Sequence, residues 1–241
     1  MLKRLFAVLA LTMLGTAAFS QDVTGNGSGS VPEISKPSRD FLLLQLGYNG
    51  WAGKPDSVKL KSVGYVFNAF LCYDFPIKKS SFSFATGLGI NVNVVYFDHQ
   101  RLILNDTAAI GGAAASVVAD AGYDYSYSRF KFVTTYLTAP FELRYFSNKV
   151  NRNKGFKASI GADVGLFLGA HTKGVGSVGG VTVKDKVDTK RYMSTWSMAP
   201  KVRVGYGNYS LFASYSLTNV FQSGQGPTAT PFTVGICVSG L

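Results

Sequence analysis

A hydrophobic alternation with a two-residue period is the feature that most constrains this chain. In residues 80–97, large apolar side chains occupy most even positions, and small or polar side chains occupy most odd positions. A period of two over such a length indicates a β-strand with one apolar and one polar face. The pattern occurs eight times, in residues 40–51, 62–75, 80–97, 129–146, 155–171, 190–206, 209–220 and 230–240. The sequence therefore predicts an all-β protein.

The segments between the predicted strands alternate in length. Four of them, residues 52–61, 98–128, 172–189 and 221–229, have 10, 31, 18 and 9 residues. The three between these, residues 76–79, 147–154 and 207–208, have 4, 8 and 2 residues. Short periplasmic turns that alternate with long outer loops are typical of a transmembrane β-barrel. A soluble β-barrel has no need of such alternation, so we predict an eight-stranded antiparallel transmembrane β-barrel, an up-and-down meander.

Both faces of the predicted strands suit this architecture. The polar face is rich in Gly, Ser, Ala, Thr and Asn, which fit the narrow interior of eight strands. The apolar face ends in aromatic residues, as expected at the two membrane interfaces. The predicted girdles are Tyr48, Tyr65, Tyr96, Tyr192 and Trp196 at one rim, and Tyr73, Phe82, Tyr145, Phe156, Tyr206 and Tyr209 at the other. Pro140 and Pro200 fall inside strands, where we expect a β-bulge to absorb each of them.

The first 20 residues have the pattern of a secretory signal peptide. Lys3 and Arg4 precede an apolar run, residues 5–14, and residues 18–20 form a small-x-small cleavage site. The apolar run is shorter than the stretch of about 20 residues that a transmembrane helix needs. We assign residues 1–20 to the signal peptide, residues 21–39 to a flexible periplasmic linker and residues 40–241 to the barrel domain. Export predicts the outer membrane of a Gram-negative cell envelope.

Composition excludes several other classes of protein. Only 15% of the residues are charged and the mean hydropathy is +0.14, which excludes a disordered chain. No run of 18 apolar residues occurs, so a helical membrane protein is excluded as well. The net charge is +11, but the cations do not cluster as they do in nucleic-acid-binding proteins. We therefore expect no nucleic-acid partner.

Three short stretches resemble a known family. Residues 136–145 (YLTAPFELRY) are similar to the mid-barrel signature of the PorT-like outer-membrane β-barrel proteins of the Bacteroidota, and residues 161–165 and 231–235 are similar to other parts of that pattern. The resemblance extends from about residue 40 to residue 241 and implies an outer-membrane β-barrel domain. Many members of the family have no assigned activity, and the founding member is tied to protein secretion. We do not extend the secretion role to this chain.

Seven charged residues fall on the inward phase of the periplasmic half. A buried charge without a partner costs several kcal/mol, roughly 3–5 when its partner is removed. These side chains should therefore pair with one another in a salt-bridged plug that closes the lumen. The alternative is a small pore that favours anions, since four of the seven are positive. The cluster comprises Asp74, Glu142, Arg144, Lys157, Asp163, Lys201 and Arg203.

Cations also gather in the predicted outer loops and rims, where lipopolysaccharide phosphates are the expected partner. The candidate contacts are Arg129, Lys131, Lys190 and Arg191. Solvated loop charge is the alternative, because exposed charge pairs contribute little. The predicted partners are outer-membrane lipid and lipopolysaccharide, the barrel-assembly machinery, and an extracellular or envelope protein.

The sequence indicates no catalytic residues, metal site or cofactor. Some eight-stranded outer-membrane barrels modify lipid A with a His, a Ser and a carboxylate, but no pattern ties a serine to His99 or His171. Cys72 and Cys237 face inward with the first strand between theirs, about 9.6 Å apart, which is beyond the usual Cα separation of a disulfide. The sequence thus favours two free thiols.

These observations favour a non-enzymatic outer-membrane β-barrel protein with a structural or interaction role. Its proposed working surface is the second and third outer loops, residues 98–128 and 172–189, because they are the longest. The alternatives are a narrow pore or channel, a lipid A-modifying enzyme and a secreted lipocalin-like binder.

Overall fold

The computed structural model describes residues 41–77, 80–104, 115–119, 127–148, 154–178 and 180–240. The predicted signal peptide and linker lie outside these residues. Eleven strands form in this part of the chain, and the all-β prediction is confirmed. They are β1 (Leu42–Ala52), β2 (Tyr65–Pro76), β3 (Phe82–Phe97), β4 (Gln100–Ile103), β5 (Ser116–Ala119), β6 (Tyr127–Phe146), β7 (Phe156–Val178), β8 (Val181–Thr189), β9 (Trp196–Tyr206), β10 (Tyr209–Tyr215) and β11 (Thr230–Ser239). Within the described ranges, no helix is long and apolar enough to cross a membrane.

Eight of these strands close into a ring of antiparallel pairs. The order around the ring is β1, β2, β3, β6, β7, β9, β10 and β11, and β11 pairs with β1. β6 pairs with β7 over almost its whole length, which joins the two halves of the sheet. This up-and-down order is the predicted one. It pairs the backbone of every ring strand on both sides, so the ring has no open edge where the strands are paired.

The other three strands lie in the two longest connections. β4 pairs with β5 in the segment before β6. β8 pairs with the outer part of β7, from Ala170↔Thr189 to Val178↔Val181. The prediction of a loop over residues 172–189 is therefore wrong. β7 has 23 residues and continues beyond the ring as one arm of a hairpin.

Two predicted strand ends are also wrong, both next to the long connections. The strand predicted from residue 190 begins at Trp196, and the strand predicted to end at residue 220 ends at Tyr215. The residues cut off, such as Tyr192 and Val220, are buried inside the ring instead. Their apolar character serves an interior cluster, and a sequence pattern cannot separate that role from an outward strand face.

The ring buries polar side chains and exposes apolar ones. Ile160 and Leu211 are 62% and 67% exposed on the outside, whereas Gln45 and Glu142 are each 1% exposed on the inside. A soluble protein of this size would bury its large aliphatic side chains, because their removal from water is the main stabilising contribution. The exposed apolar belt is therefore the face expected to contact hydrocarbon.

Exposed aromatic residues lie near both ends of the belt. At the end with the short turns, Tyr206 and Tyr209 are the most exposed, at 72% and 71%. Trp196 is the most exposed at the end with the long connections. Tyr192 does not join this girdle, as it is only 8% exposed and has a φ of +67°. Its left-handed backbone turns the chain inward just before β9.

No bulge occurs at either proline. In the β3–β6 ladder, pairing passes from Thr86↔Phe141 to Gly89↔Thr138 with the register unchanged, so the ladder is interrupted only at Pro140 and its neighbour. Pro200 lies one residue beyond the last β9–β10 pair, Ser214↔Lys201. Each proline, which has no N–H donor, therefore sits where a ladder is already open on one side.

Candidate functional site

The interior of the ring has three layers along its axis. Nearest the short turns lies a cluster of charged side chains, which we call the ionic cluster. Next comes a cavity lined by amides and hydroxyls, the polar chamber. Nearest the long connections lies a group of buried aromatic residues with their apolar neighbours, the aromatic cap. Each layer draws on several strands, so none is visible in a single stretch of sequence.

Glu142 on β6 is the centre of the ionic cluster. The guanidinium of Arg144 donates from Nε to Oε2 of Glu142 at 2.8 Å, and Arg203 donates from Nη2 to the same oxygen at 2.9 Å. Nζ of Lys201 lies 3.0 Å from Oε1. One carboxylate thus holds three cations from two strands, and Glu142, Arg144 and Lys201 are almost completely buried.

Two further carboxylates complete the cluster. Asp74 on β2 accepts a hydrogen bond from Nη1 of Arg144 at 2.9 Å. Asp163 on β7 accepts one from Nζ of Lys201 at 2.6 Å. The seventh residue, Lys157, donates from Nζ to Oγ of Ser239 at 2.7 Å. The structure therefore brings all seven predicted residues to one end of the lumen, and six of them form one continuous network.

The two cysteines lie beside this cluster. Cys72 and Cys237 are both buried and both free. They pack with Leu43, Val66, Phe70 and Phe212 in a small apolar group. Nη1 of Arg203 lies 3.6 Å from Sγ of Cys237, and Nζ of Lys201 lies 5.1 Å from the centre of the Phe70 ring. This apolar group fills the part of the lumen next to the ion pairs.

The polar chamber is a cavity of about 50 Å³ above the ionic cluster. A chain of amides crosses its wall: Nδ2 of Asn91 donates to Oδ1 of Asn68 at 2.6 Å, and Nδ2 of Asn68 donates to Oε1 of Gln45 at 2.9 Å. Nδ2 of Asn93 donates to Asn91, and the Oδ1 atom of Asn49 has no hydrogen-bond partner. A water molecule needs about 10–15 Å³ of such volume, so the chamber has room for a few waters only.

Trp51 on β1 is the centre of the aromatic cap. Its ring meets those of Phe97, Phe132 and Phe221 edge to face, at centroid distances of 5.9, 6.1 and 6.1 Å. Phe132 and Phe221 stack at 6.0 Å. Buried residues from all four long connections and their flanking strands surround these rings, including Val58, Leu102, Leu104, Met193 and Val220.

Sequence reasoning missed this cap, although a signal for it was present. Trp51, Phe97, Phe130 and Phe132 fall on the inward phase of their strands, where small and polar residues were expected. Large aromatic residues on that phase indicate that the lumen is filled at that level. The cap and the ionic cluster together enclose the chamber from both ends.

The predicted lipopolysaccharide contacts lie on the outer surface of the ring's long-connection end. Arg129 and Lys131 are on β6 and face outward, and Lys190 and Arg191 follow β8. These four residues therefore do not form a single cluster. The cross-strand neighbours of Lys131 are Tyr96 on β3 and Lys173 on β7, and sequence reasoning did not place Lys173 in the group.

The structure places the two histidines on different strands and connections of the long-connection end. His99 is exposed, lies 3.8 Å from Asp98 and has a φ of +47°. His171 is half-buried on the outer part of β7 and lies opposite Asp188 in the antiparallel ladder with β8. Burial lowers the pKa of His171, and the charge of Lys186 lowers that pKa further. Within the described ranges, no serine hydroxyl is hydrogen-bonded to either imidazole.

Comparison with known proteins identifies the family. A family model described as "Outer membrane protein beta-barrel domain" matches residues 36–222, which is more than half of the chain. No curated protein matches. A solved structure, that of Ail, the attachment invasion locus protein of Yersinia pestis, is 14% identical and covers 83% of this chain and 99% of its own, with a TM-score of 0.34. The chain belongs to the outer membrane protein β-barrel domain family, and the narrower PorT-like assignment to the Bacteroidota stays a prediction.

Proposed function

We propose that this member of the outer membrane protein β-barrel family is a non-conducting, non-enzymatic eight-stranded barrel that acts through its extracellular surface. In this proposal the short turns and both ends of the barrel domain face the periplasm, and the long connections face outward. The observation that carries the proposal is the closure of the lumen by two layers of different chemistry. Because the closed interior offers no path for ions or solutes, we propose a structural or interaction role for this protein.

The ionic cluster argues against a pore. Opening it would separate Glu142 from three cations in a site with almost no solvent. Breaking a buried ion pair costs about 3–5 kcal/mol, because a charge is left uncompensated. The aromatic cap adds a second barrier of tightly packed rings. An ion would have to displace both, so a narrow channel is the less favoured function.

The outer connections are suited to contact a partner because they are anchored. Val58, Leu102, Met193 and Phe221 come from four different connections and are all buried in the aromatic cap. Loops held by a shared core lose little entropy on binding, and this favours recognition. We propose an extracellular or envelope protein as the partner of this surface, with outer-membrane lipid around the belt and the barrel-assembly machinery acting on the nascent chain.

Planar-bilayer recording tests the closed lumen. We expect the purified protein to give no single-channel conductance, and a variant with Glu142→Ala and Trp51→Ala to give measurable current. The single variant Glu142→Ala should stay silent, since the aromatic cap still closes the other end. Steady conductance of the wild-type protein would overturn the proposal and favour the channel.

Loop replacement tests the interaction surface. Residues 105–126 are replaced by a short Gly-Ser linker in one variant, and residues 177–182, at the tip of the β7–β8 hairpin, are replaced in a second variant. We expect crosslinking in whole cells to recover an envelope or extracellular protein with the wild type, and one of the two replacements to lose it selectively. Recovery of the same proteins with both replacements would remove the loops as the working surface.

A further inference from the structure

Three lysines stand side by side on the outer surface of the β6–β7–β8 sheet. Lys131 of β6 pairs with Lys173 of β7, and Lys173 pairs with Lys186 of β8. Directly opposed residues of neighbouring strands lie on the same face, with Cβ atoms about 4.5–5.5 Å apart. Like charges in this position destabilise a sheet. We call these residues the lysine row.

A bulge in β7 places Lys173 in this row. Tyr136 pairs with Phe167 and Thr135 with Gly169, so β7 has one extra residue, Leu168, between these pairs. Below the bulge, even-numbered residues such as Ile160 are exposed. Above it, Ala170 and Thr172 are buried, and the odd-numbered Lys173 faces outward. A bulge reverses which residues face outward, and without it Lys173 would point into the ring.

Further cations flank the lysine row. Two positions farther from the ring along the same strands, Val175 lies opposite both Arg129 and Lys184. These two cations add two positive charges to the same face. On the side toward the ring, the neighbouring set contains Asp188. Oδ2 of this residue lies 2.9 Å from Nζ of Lys186, and both side chains are more than half exposed. The face therefore carries five cations and one carboxylate, so most of its positive charge is uncompensated.

A groove lies directly on the ring side of the lysine row. Its volume is about 410 Å³, and its lining includes Leu168, His171, Asp188 and Lys190. Below it begins the exposed apolar belt, with Leu166, Leu168 and Trp196 on the surface. Cations above and hydrocarbon-facing residues below suit a ligand that has an anionic head and an apolar tail.

We propose that the lysine row and this groove bind a phosphate-bearing headgroup of lipid A, with its acyl chains against Leu166, Leu168 and Trp196. The inference deepens the proposed function and rests on its orientation, which puts this end of the barrel in the outer leaflet. A lipid is favoured over a soluble phosphate because the groove is continuous with the apolar belt. Bound phosphate offsets the repulsion among the three lysines and forms charge-assisted hydrogen bonds with them.

Native mass spectrometry of the purified protein in detergent micelles tests this site. The probes are diphosphorylated lipid A, the same lipid with its phosphates removed, and inorganic phosphate. The test variant is Lys131→Gln with Lys173→Gln, and the matched control is Lys54→Gln with Lys154→Gln, which removes the same charge from partly or fully exposed positions outside this face. We expect the test variant to bind lipid A about tenfold more weakly, because charge-assisted hydrogen bonds are lost. The control should stay within about twofold of wild type, since exposed charges away from the site contribute little.

A thermal measurement on Lys173→Gln gives a second readout that a merely structural lysine would not produce. Without lipid A, the substitution should raise the unfolding midpoint by about 1–3 °C, because it relieves repulsion within the row. With lipid A present, the variant should unfold at a lower temperature than wild type. A shift of the same sign in both conditions would overturn the site.

Three other results would overturn the assignment. Equal binding by the test variant and wild type removes the lysine row as the contact. Equal binding of the dephosphorylated lipid would show that the site does not recognise phosphate. Full displacement of lipid A by inorganic phosphate would show that the ligand is a soluble anion and not a lipid. None of these results depends on conductance or on loop partners, so failure of this site is distinguishable from failure of the proposed function.

Discussion

At the scale of single residues, Glu142 determines how the lumen is closed. It pairs with Arg144, Lys201 and Arg203, and these cations also hold Asp74 and Asp163. Burial of charge is tolerated here because Arg144, Lys201 and Arg203 each have a carboxylate within hydrogen-bonding distance. Such a network is sensitive to the loss of its shared anion, since the remaining positive charges would then repel one another in a site of low dielectric.

Neutralising Glu142 should therefore destabilise the folded protein. We expect Glu142→Gln to lower the free energy of unfolding by about 3 kcal/mol, because it leaves three buried cations with two carboxylates. Urea unfolding of the protein in detergent, followed by Trp fluorescence, measures the change.

Asp98→Asn is the matched control for that substitution. Oδ1 of Asp98 lies 3.9 Å from Nζ of Lys61, and both side chains are partly exposed to solvent, in contrast to the buried Glu142. Its neutralisation should change stability by less than about 1 kcal/mol. Equal effects of the two substitutions would show that the buried network does not stabilise the fold.

At the scale of elements, the short turns fix how neighbouring strands pair. β9 and β10 are joined by Gly207 and Asn208 alone, and Tyr206 pairs directly with Tyr209. Gly207 has a φ of +60°, at the first central position of a two-residue hairpin turn. Such turns need a positive φ, which glycine adopts without strain and a β-branched residue does not. This turn therefore sets the register that brings Lys201 and Arg203 to the ionic cluster.

Substitution of Gly207 tests this dependence. Gly207→Val should lower the free energy of unfolding by about 1–3 kcal/mol, the usual cost of a residue held in an unfavourable backbone region. Asn208→Ala, at the second central position, should cost much less, because Asn208 is not among the residues with a positive φ. Comparison of the urea midpoints of the two variants measures the difference, and equal midpoints would mean that the turn conformation does not limit stability.

At the scale of the whole molecule, closure of the ring combines the contributions of its strands. The ring is made of pairs between successive ring strands, with β4, β5 and β8 inserted in two of the connections, together with the long-range pair of β1 and β11. Closed rings of strands resist unfolding in detergent because no edge is free to unpair first. The exposed apolar belt requires a hydrocarbon environment at the same time.

Gel mobility of the boiled and unboiled protein tests closure in the membrane. We expect protein from an isolated outer-membrane fraction to migrate faster before boiling than after it, because the closed ring stays compact in detergent. Deletion of residues 230–239, which form β11, should abolish the difference by opening the ring. A protein found only in the soluble periplasmic fraction, with one mobility, would instead favour the secreted lipocalin-like binder.

Much of this architecture was predictable because it depends on local pattern. The two-residue period determines which face of a strand is apolar, and the alternation of connection lengths indicates up-and-down order. The inward placement of Glu142, Arg144 and Lys201 follows from that period alone. Errors appeared where the period continued but the environment changed, as at Tyr192, whose predicted outward position is an interior one.

The sequence by itself determined the all-β class, the antiparallel order, the polar lumen and the end of the lumen at which the charges lie. Only the tertiary structure decided which charges pair, that Trp51 and its neighbours close the other end, and that the bulge at Leu168 aligns Lys173 with Lys131 and Lys186. The physical reason is that strand periodicity is a local property of the backbone. Register and interior packing depend on contacts between segments that are distant in sequence. These contacts form only when the ring closes.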